Sequence, residues 1–153
     1  IRAQELERLQ SWVDEAVAAG AELLLGGKAE PPCFQATVLG NVPKSVRLGC
    51  EEVFGPITTV AAYDHWDDAI EHVNASPYGL QVGIFTRDME RILSSWDRLE
   101  VGAVIANDYP TFRVDNMPYG GIKRSGAGRE GVSYSMEEMS EPRLLVLNRN
   151  PLQ

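Results

Sequence analysis

Residues 57–106 read ITTVAAYDHWDDAIEHVNASPYGLQVGIFTRDMERILSSWDRLEVGAVIA. Three short apolar runs, at 57–63, 80–85 and 101–106, are separated by two segments with helical spacing. Trp66, Ala69, Ile70 and Val73 set the first helix, with Asp64 or a neighbour as its N-cap. Pro77-Tyr78-Gly79 ends it. Met89, Ile92, Leu93, Trp96 and Leu99 set the second, introduced by Thr86 or Asp88. The 57–63 run is mostly apolar and β-branched, which suits a strand buried on both faces. The alternation predicts parallel strands joined by right-handed helical crossovers, an α/β fold.

Working outward, Leu6, Leu9, Val13, Ala16 and Val17 predict an N-terminal amphipathic helix that Gly20 stops. Short strands are expected at 21–25 and 34–42. From Asn107 to Gly128 no period survives, and unstructured loops longer than about 12–15 residues are usually functional or disordered. Tyr109, Phe112 and Tyr119 argue against disorder, so function is sought there. A helix follows from Arg129 to about Met139, with Val132, Met136 and Met139 on one face. Arg143 to Asn148 reads as a terminal strand that must join a sheet edge or another subunit.

The 153 residues carry 14 Lys+Arg against 22 Asp+Glu, a net charge of −8, with 44% apolar residues. That is the size and composition of one globular domain. The acidic balance, with no Lys/Arg-rich run, excludes a nucleic-acid or anionic-membrane footprint. No run approaches 18 apolar residues and no signal peptide is seen, so a cytoplasmic location is expected. The chain starts at Ile1 inside a helical pattern, which suggests a fragment.

Among local motifs, Gly126 to Gly131 matches G-x-G-x-x-G. It follows a polar loop, and no acid-bearing strand comes about 20 residues later, so it reads as a tight loop entering a helix and not as a dinucleotide fingerprint. Cys33 follows two prolines and Cys50 precedes two carboxylates, poor settings for a reactive thiolate. His65 and His72 lack partner ligands, and no metal site is expected. In Glu51-Glu52-Val53-Phe54-Gly55-Pro56 a Gly-Pro turn holds a carboxylate and a ring at the start of a strand. That pair suits sugar hydroxyls, or is a charged turn with one hydrophobic anchor.

EEVFGP, SPYGLQVGIFTRD, VGAVIAND and MPYGGIKRSGAGREG, in this order, resemble the C-terminal portion of the aldehyde dehydrogenase superfamily. The likeness runs from Trp12 to about Leu147. It implies an open, mostly parallel sheet with flanking helices over 1–140 and an oligomerisation arm over 141–153. It also implies NAD- or NADP-dependent oxidation of a small aldehyde to an acid, through a cysteine thiohemiacetal and thioester.

By the same resemblance Glu52 matches the glutamate that holds the nicotinamide ribose hydroxyls, and Phe54 the aromatic beside that ribose. Tyr119 takes the aromatic place of P-[FY]-G-G in the substrate tunnel wall, and Phe112 is a second candidate for that wall. Glu130 matches a glutamate that relays protons to the general base in some members. Arg129 matches an arginine of the subunit contact, with Glu141 where its acidic partner sits. The terminal strand resembles the arm that joins a homodimer or homotetramer.

The family's nucleophilic cysteine, its general-base glutamate and its Rossmann domain lie N-terminal to the matched portion, and neither Cys33 nor Cys50 occupies the nucleophile's place. The isolated chain is therefore expected to be inactive, to bind NAD weakly or not at all, and to carry apolar surface meant for absent partners. Two alternatives stay open: a short paralogue acting as a non-catalytic assembly or binding module, and an acyl-phosphate or acyl-CoA reductase of the same fold. Arg113, in the loop near the tunnel, is expected to bridge to Asp115, with steering of an acidic aldehyde as the other reading.

Overall fold

Of the predicted stripe of helix α1 (Ala3–Ala18), Leu6, Leu9, Val13 and Ala16 are buried, while Val17 is exposed and Trp12 completes the buried face instead. Gly20, at φ +102°, ends the helix. Its N–H donates to Val17 O at 3.0 Å and that of Ala21 to Ala16 O at 2.9 Å, a Schellman stop. This computed structural model describes residues 2–148, in two compact units that divide between Ala69 and Ile70.

In the first unit α1 is followed by β1 (Glu22–Leu25), β2 (Ala29–Glu30), β3 (Cys33–Phe34), β4 (Thr37–Gly40), the short helix α2 (Arg47–Cys50) and β5 (Ile57–Val60). One sheet has the order β1-β4-β5, with β1 antiparallel and β5 parallel to β4. A second is the β2-β3 hairpin. The expected strand at 34–42 is thus two strands. At the start of β4 the buried Thr37 Oγ1 donates to Gln35 O at 2.8 Å and accepts from Gly27 N at 2.9 Å. The core joins the α1 face to Phe34, Leu39, Val46 and Leu48, with Val53 and Ile57 packed against it.

Strand β5 departs from expectation. It lies at the sheet edge, and Thr58, Thr59 and Val60 are exposed. The core closes over Leu39 of β4 and reaches β5 only at Ile57, so the apolar composition of 57–63 is not matched by burial here.

Helix α3 (Trp66–Asn74) crosses the division between the units. After it come β6 (Tyr78–Gly79), β7 (Gln81–Ile84), α4 (Met89–Arg98), β8 (Ala103–Ala106), β9 (Ile122–Lys123) and α5 (Val132–Glu138). Strands β7 and β8 pair in parallel from Gln81↔Ala103 to Ile84↔Ala106, and α4 is their crossover. Asp88 caps α4 by accepting from Arg91 N at 3.2 Å. Asn74 ties the end of α3 to the end of α4, donating to Arg98 O and accepting from Glu100 N, each at 2.8 Å. The expected apolar stripe of α4 faces inward only in part: Ile92 is half-buried and Leu99 is buried. Met89, Leu93 and Trp96 are exposed, while Ser95 is buried with its hydroxyl donating to Arg91 O at 2.6 Å.

The fold class is α/β with flanking helices, as expected. Among the described residues pairing is divided among four small sheets of mixed direction, because β2, β3, β6 and β9 are two-residue strands with no period to read. The segment 107–128 contains β9, which pairs antiparallel with β6. Helix α5 starts at Val132 and not at Arg129, because Glu130 is held in a β-bridge and Gly131 has φ +118°. None of its residues is buried. Residues 141–148 carry no regular secondary structure, and the rest of the proposed arm, 149–153, lies outside the described residues. Among the described residues no helix is long and apolar enough to cross a membrane.

Candidate functional site

The EEVFGP turn is gripped from α1. Arg8 Nη2 donates to Val53 O at 2.8 Å and to Phe54 O at 3.4 Å, while its Nε meets Glu5 Oε2 at 2.7 Å. The Arg8 guanidinium also lies 4.9 Å from the centre of the Trp12 ring, with that of Arg47 at 5.2 Å from the same ring. Leu9, fully buried, fills the space beside Gly55: a Cβ there would come within 2.6 Å of Leu9 Cδ2. The turn leads into the sheet through Thr37 N, which donates to Pro56 O at 2.9 Å.

Held this way, the turn presents Glu52 and Phe54 outward. Phe54 is 77% exposed and has φ +41°, a left-handed conformation that a bulky residue adopts only where its surroundings impose it. A strained backbone under an exposed ring is common at ligand-contacting positions. An exposed carboxylate two residues before it supplies acceptors for a vicinal diol. A carboxylate acceptor beside an aromatic ring fits a ribose, and among the described residues no group of three or more metal-ligating side chains is found. Arg8 and Leu9 carried no local signal for this role, since Arg8 lies 45 residues from Val53.

A second cluster forms in the other unit. Tyr119 and Glu130 face each other across an antiparallel bridge, with Tyr119 N donating to Glu130 O at 3.0 Å and Glu130 N to Tyr119 O at 2.6 Å. Arg113 lies over the Tyr119 ring at 4.4 Å, and its Nη2 donates to Glu130 Oε2 at 2.9 Å. The expected Arg113 to Asp115 bridge is therefore corrected. The bridge brings Glu130 to the ring on which Arg113 stacks, so the partner is 17 residues away in sequence. Phe112 is exposed, and its carbonyl accepts from Gln81 Nε2 at 3.2 Å.

Arg129 points into its own loop, where Nη1 donates to Gly121 O at 3.0 Å and Gly128 O at 2.9 Å. Its N–H donates to Glu138 Oε1 at 3.0 Å. Glu141 is exposed and is not among the partners of Arg129 within the described residues. Cys33 and Cys50 are free thiols, both in the first unit, and Cys50 Sγ donates to Val46 O at 3.3 Å.

Residues 1–145 match the aldehyde dehydrogenase family. The chain belongs to that family. It is 47% identical to a 3-sulfolactaldehyde dehydrogenase of Priestia aryabhattai over 148 residues, which is 97% of this chain and 31% of that protein. A lactaldehyde dehydrogenase of Methanococcus aeolicus is 39% identical over 142 residues, 93% of this chain and 30% of that protein. The fold superposes on aldehyde dehydrogenase 21 of Physcomitrella patens, solved with the reaction product succinate, with a TM-score of 0.90 and 42% identity. That match covers 94% of this chain and 30% of the other. A glyceraldehyde-3-phosphate dehydrogenase of Methanocaldococcus jannaschii, solved with NADP, superposes with a TM-score of 0.83 and 40% identity over 90% of this chain and 30% of the other. This aldehyde dehydrogenase chain thus spans about a third of the length of the relatives it matches.

Proposed function

We propose that this chain is the C-terminal part of an NAD(P)-dependent aldehyde dehydrogenase of the cytoplasm whose substrate is an aldehyde bearing an anionic group. Two clusters support the reading. The Arg8-held turn offers Glu52 and Phe54 to a ribose, and Arg113 sets a cation on the face of Tyr119, the aromatic of the family's tunnel wall. The nicotinamide, when bound, accepts the hydride. Glu52 binds the ribose hydroxyls, and Phe54 packs beside the sugar and limits how the ring tilts. Tyr119 and Phe112 wall the aldehyde, and Arg113 attracts its charged end.

Some relatives share that charge: sulfolactaldehyde carries a sulfonate, glyceraldehyde 3-phosphate a phosphate, and the Physcomitrella patens enzyme was solved with a dicarboxylate product, whereas lactaldehyde, named for the Methanococcus aeolicus enzyme, is uncharged, so the charge reading rests on Arg113. The attacking thiolate, the base and the dinucleotide-binding domain belong to the remainder of the enzyme. On this reading Cys33 and Cys50 take no part, and the 153-residue chain alone oxidises nothing. The exposed run Leu144 to Leu147, each side chain between 76% and 87% exposed, suits addition to a neighbouring subunit's sheet in a homodimer or homotetramer. Arg129 and Glu141 are the ion pair proposed to steady that contact, and Glu130 remains a candidate for proton relay.

The observation that carries the reading is Arg113 stacked on Tyr119 at 4.4 Å. In the full-length enzyme, Arg113→Ala is expected to lower kcat/KM for 4-oxobutanoate about ten- to a hundredfold more than for butanal, the loss expected of a charged hydrogen bond. An unchanged ratio overturns the anionic substrate class. No oxidation of any aldehyde by the wild-type enzyme overturns the activity.

A further inference from the structure

We propose that Glu130 is the resident counter-anion of the substrate's charged group. Arg113 exchanges its ion pair with Glu130 for the carboxylate, sulfonate or phosphate of the incoming aldehyde. The inference rests on the reading of Arg113 given above and adds a competitor built into the chain.

The geometry suits an exchange. The Tyr119–Glu130 bridge fixes both backbones, so the Glu130 side chain swings away without moving the ring. The Tyr119 face holds the guanidinium plane at 4.4 Å whichever anion it meets. Among the described residues Glu130 is the one hydrogen-bond partner of the Arg113 side chain, through a single Nη2 donor. A guanidinium offers five N–H donors in a planar fork, so a bidentate anion makes more of it than Glu130 does.

The magnitudes agree. The two side chains are 46% and 65% exposed. Ion pairs that open to water are worth about 1.4- to 5-fold in an equilibrium constant. For a pair that stays open to water in the whole enzyme, Glu130 lowers the affinity for an anionic aldehyde by a few-fold. It also spares the empty site an unpaired cation on an aromatic wall.

The test is a double-mutant cycle in the full-length enzyme, reading both the KM ratio of 4-oxobutanoate to butanal and the Kd of succinate. Glu130→Gln is expected to lower the ratio and the Kd by about 1.4- to 5-fold. Glu130→Asp, which keeps the charge and withdraws it by one methylene, is expected to act in the same direction. In an Arg113→Ala background neither substitution is expected to move either quantity. No gain from either variant overturns the exchange, as does a gain that persists without Arg113, which would be a plain field effect. If Arg113→Ala leaves the acidic preference intact, the substrate reading itself fails and the exchange with it. A preference lost with Arg113→Ala but unmoved by both Glu130 variants overturns the exchange alone.

Discussion

Arg8 Nη2 lies 2.8 Å from Val53 O, so the first helix holds the backbone that carries Glu52 and Phe54. Arg8→Ala removes both carbonyl contacts and one of the two cations over Trp12. The expected cost is about 1–2 kcal/mol, given hydrogen bonds from a charged donor that is only partly buried. Hydrogen exchange should speed up at the amides of residues 51–56 and stay unchanged at β7 and β8. Uniform exchange along the chain would contradict the grip.

Leu9 is fully buried against Gly55, and both substitutions of that contact should be costly. Leu9→Ala opens a cavity and is expected to cost about 2–5 kcal/mol. Gly55→Ala forces a methyl against a side chain that the core holds in place, for about 1–3 kcal/mol. Chemical denaturation reads both, and wild-type midpoints would refute the packing argument.

Phe54 separates stability from binding. Phe54→Gly relieves the positive φ but adds freedom to the unfolded chain, two effects of similar size and opposite sign. The ring is largely exposed, so little burial is lost. Stability should change by less than about 1 kcal/mol, while the Kd for the nicotinamide cofactor in the full-length enzyme rises. An unaltered Kd would remove Phe54 from the ribose site.

The segment Leu144 to Leu147 offers four exposed aliphatic side chains. Leu145→Lys is expected to shift the full-length protein toward smaller species in sedimentation, with subunit folding kept. An unchanged distribution would show that the segment does not hold subunits together.

The 153-residue chain, purified alone, is expected to yield no reduced cofactor from any simple aldehyde. Turnover followed by absorbance would overturn the assignment of the nucleophile to the rest of the enzyme.

Local features were legible in the sequence. The face of α1 and its stop at Gly20 follow from spacing and from glycine's freedom at positive φ, and Asp88 caps α4 as its chemistry predicts. What failed was partner choice. Apolar spacing in α4 does not say that Ser95 turns inward while Trp96 stays 66% exposed, because burial depends on what the helix meets. The acid nearest Arg113 in sequence is Asp115, whereas the Tyr119–Glu130 bridge brings Glu130 to it instead. The chemistry of Glu52 and Phe54 was legible as a carboxylate beside a ring; Arg8, which orients them, was not, because a contact 45 residues distant leaves no period.

Trp12 gives the molecule an optical handle. It is one of three tryptophans, is buried, and has an indole N–H with no hydrogen-bond partner among the described residues. Arg8 touches both its ring and the carbonyls of Val53 and Phe54, so a displacement of that turn moves a positive charge across the indole. In the full-length enzyme, with Trp66, Trp96 and any tryptophan outside this chain replaced by Phe, the emission colour of Trp12 would then report the arrival of a nucleotide at Glu52 without any label.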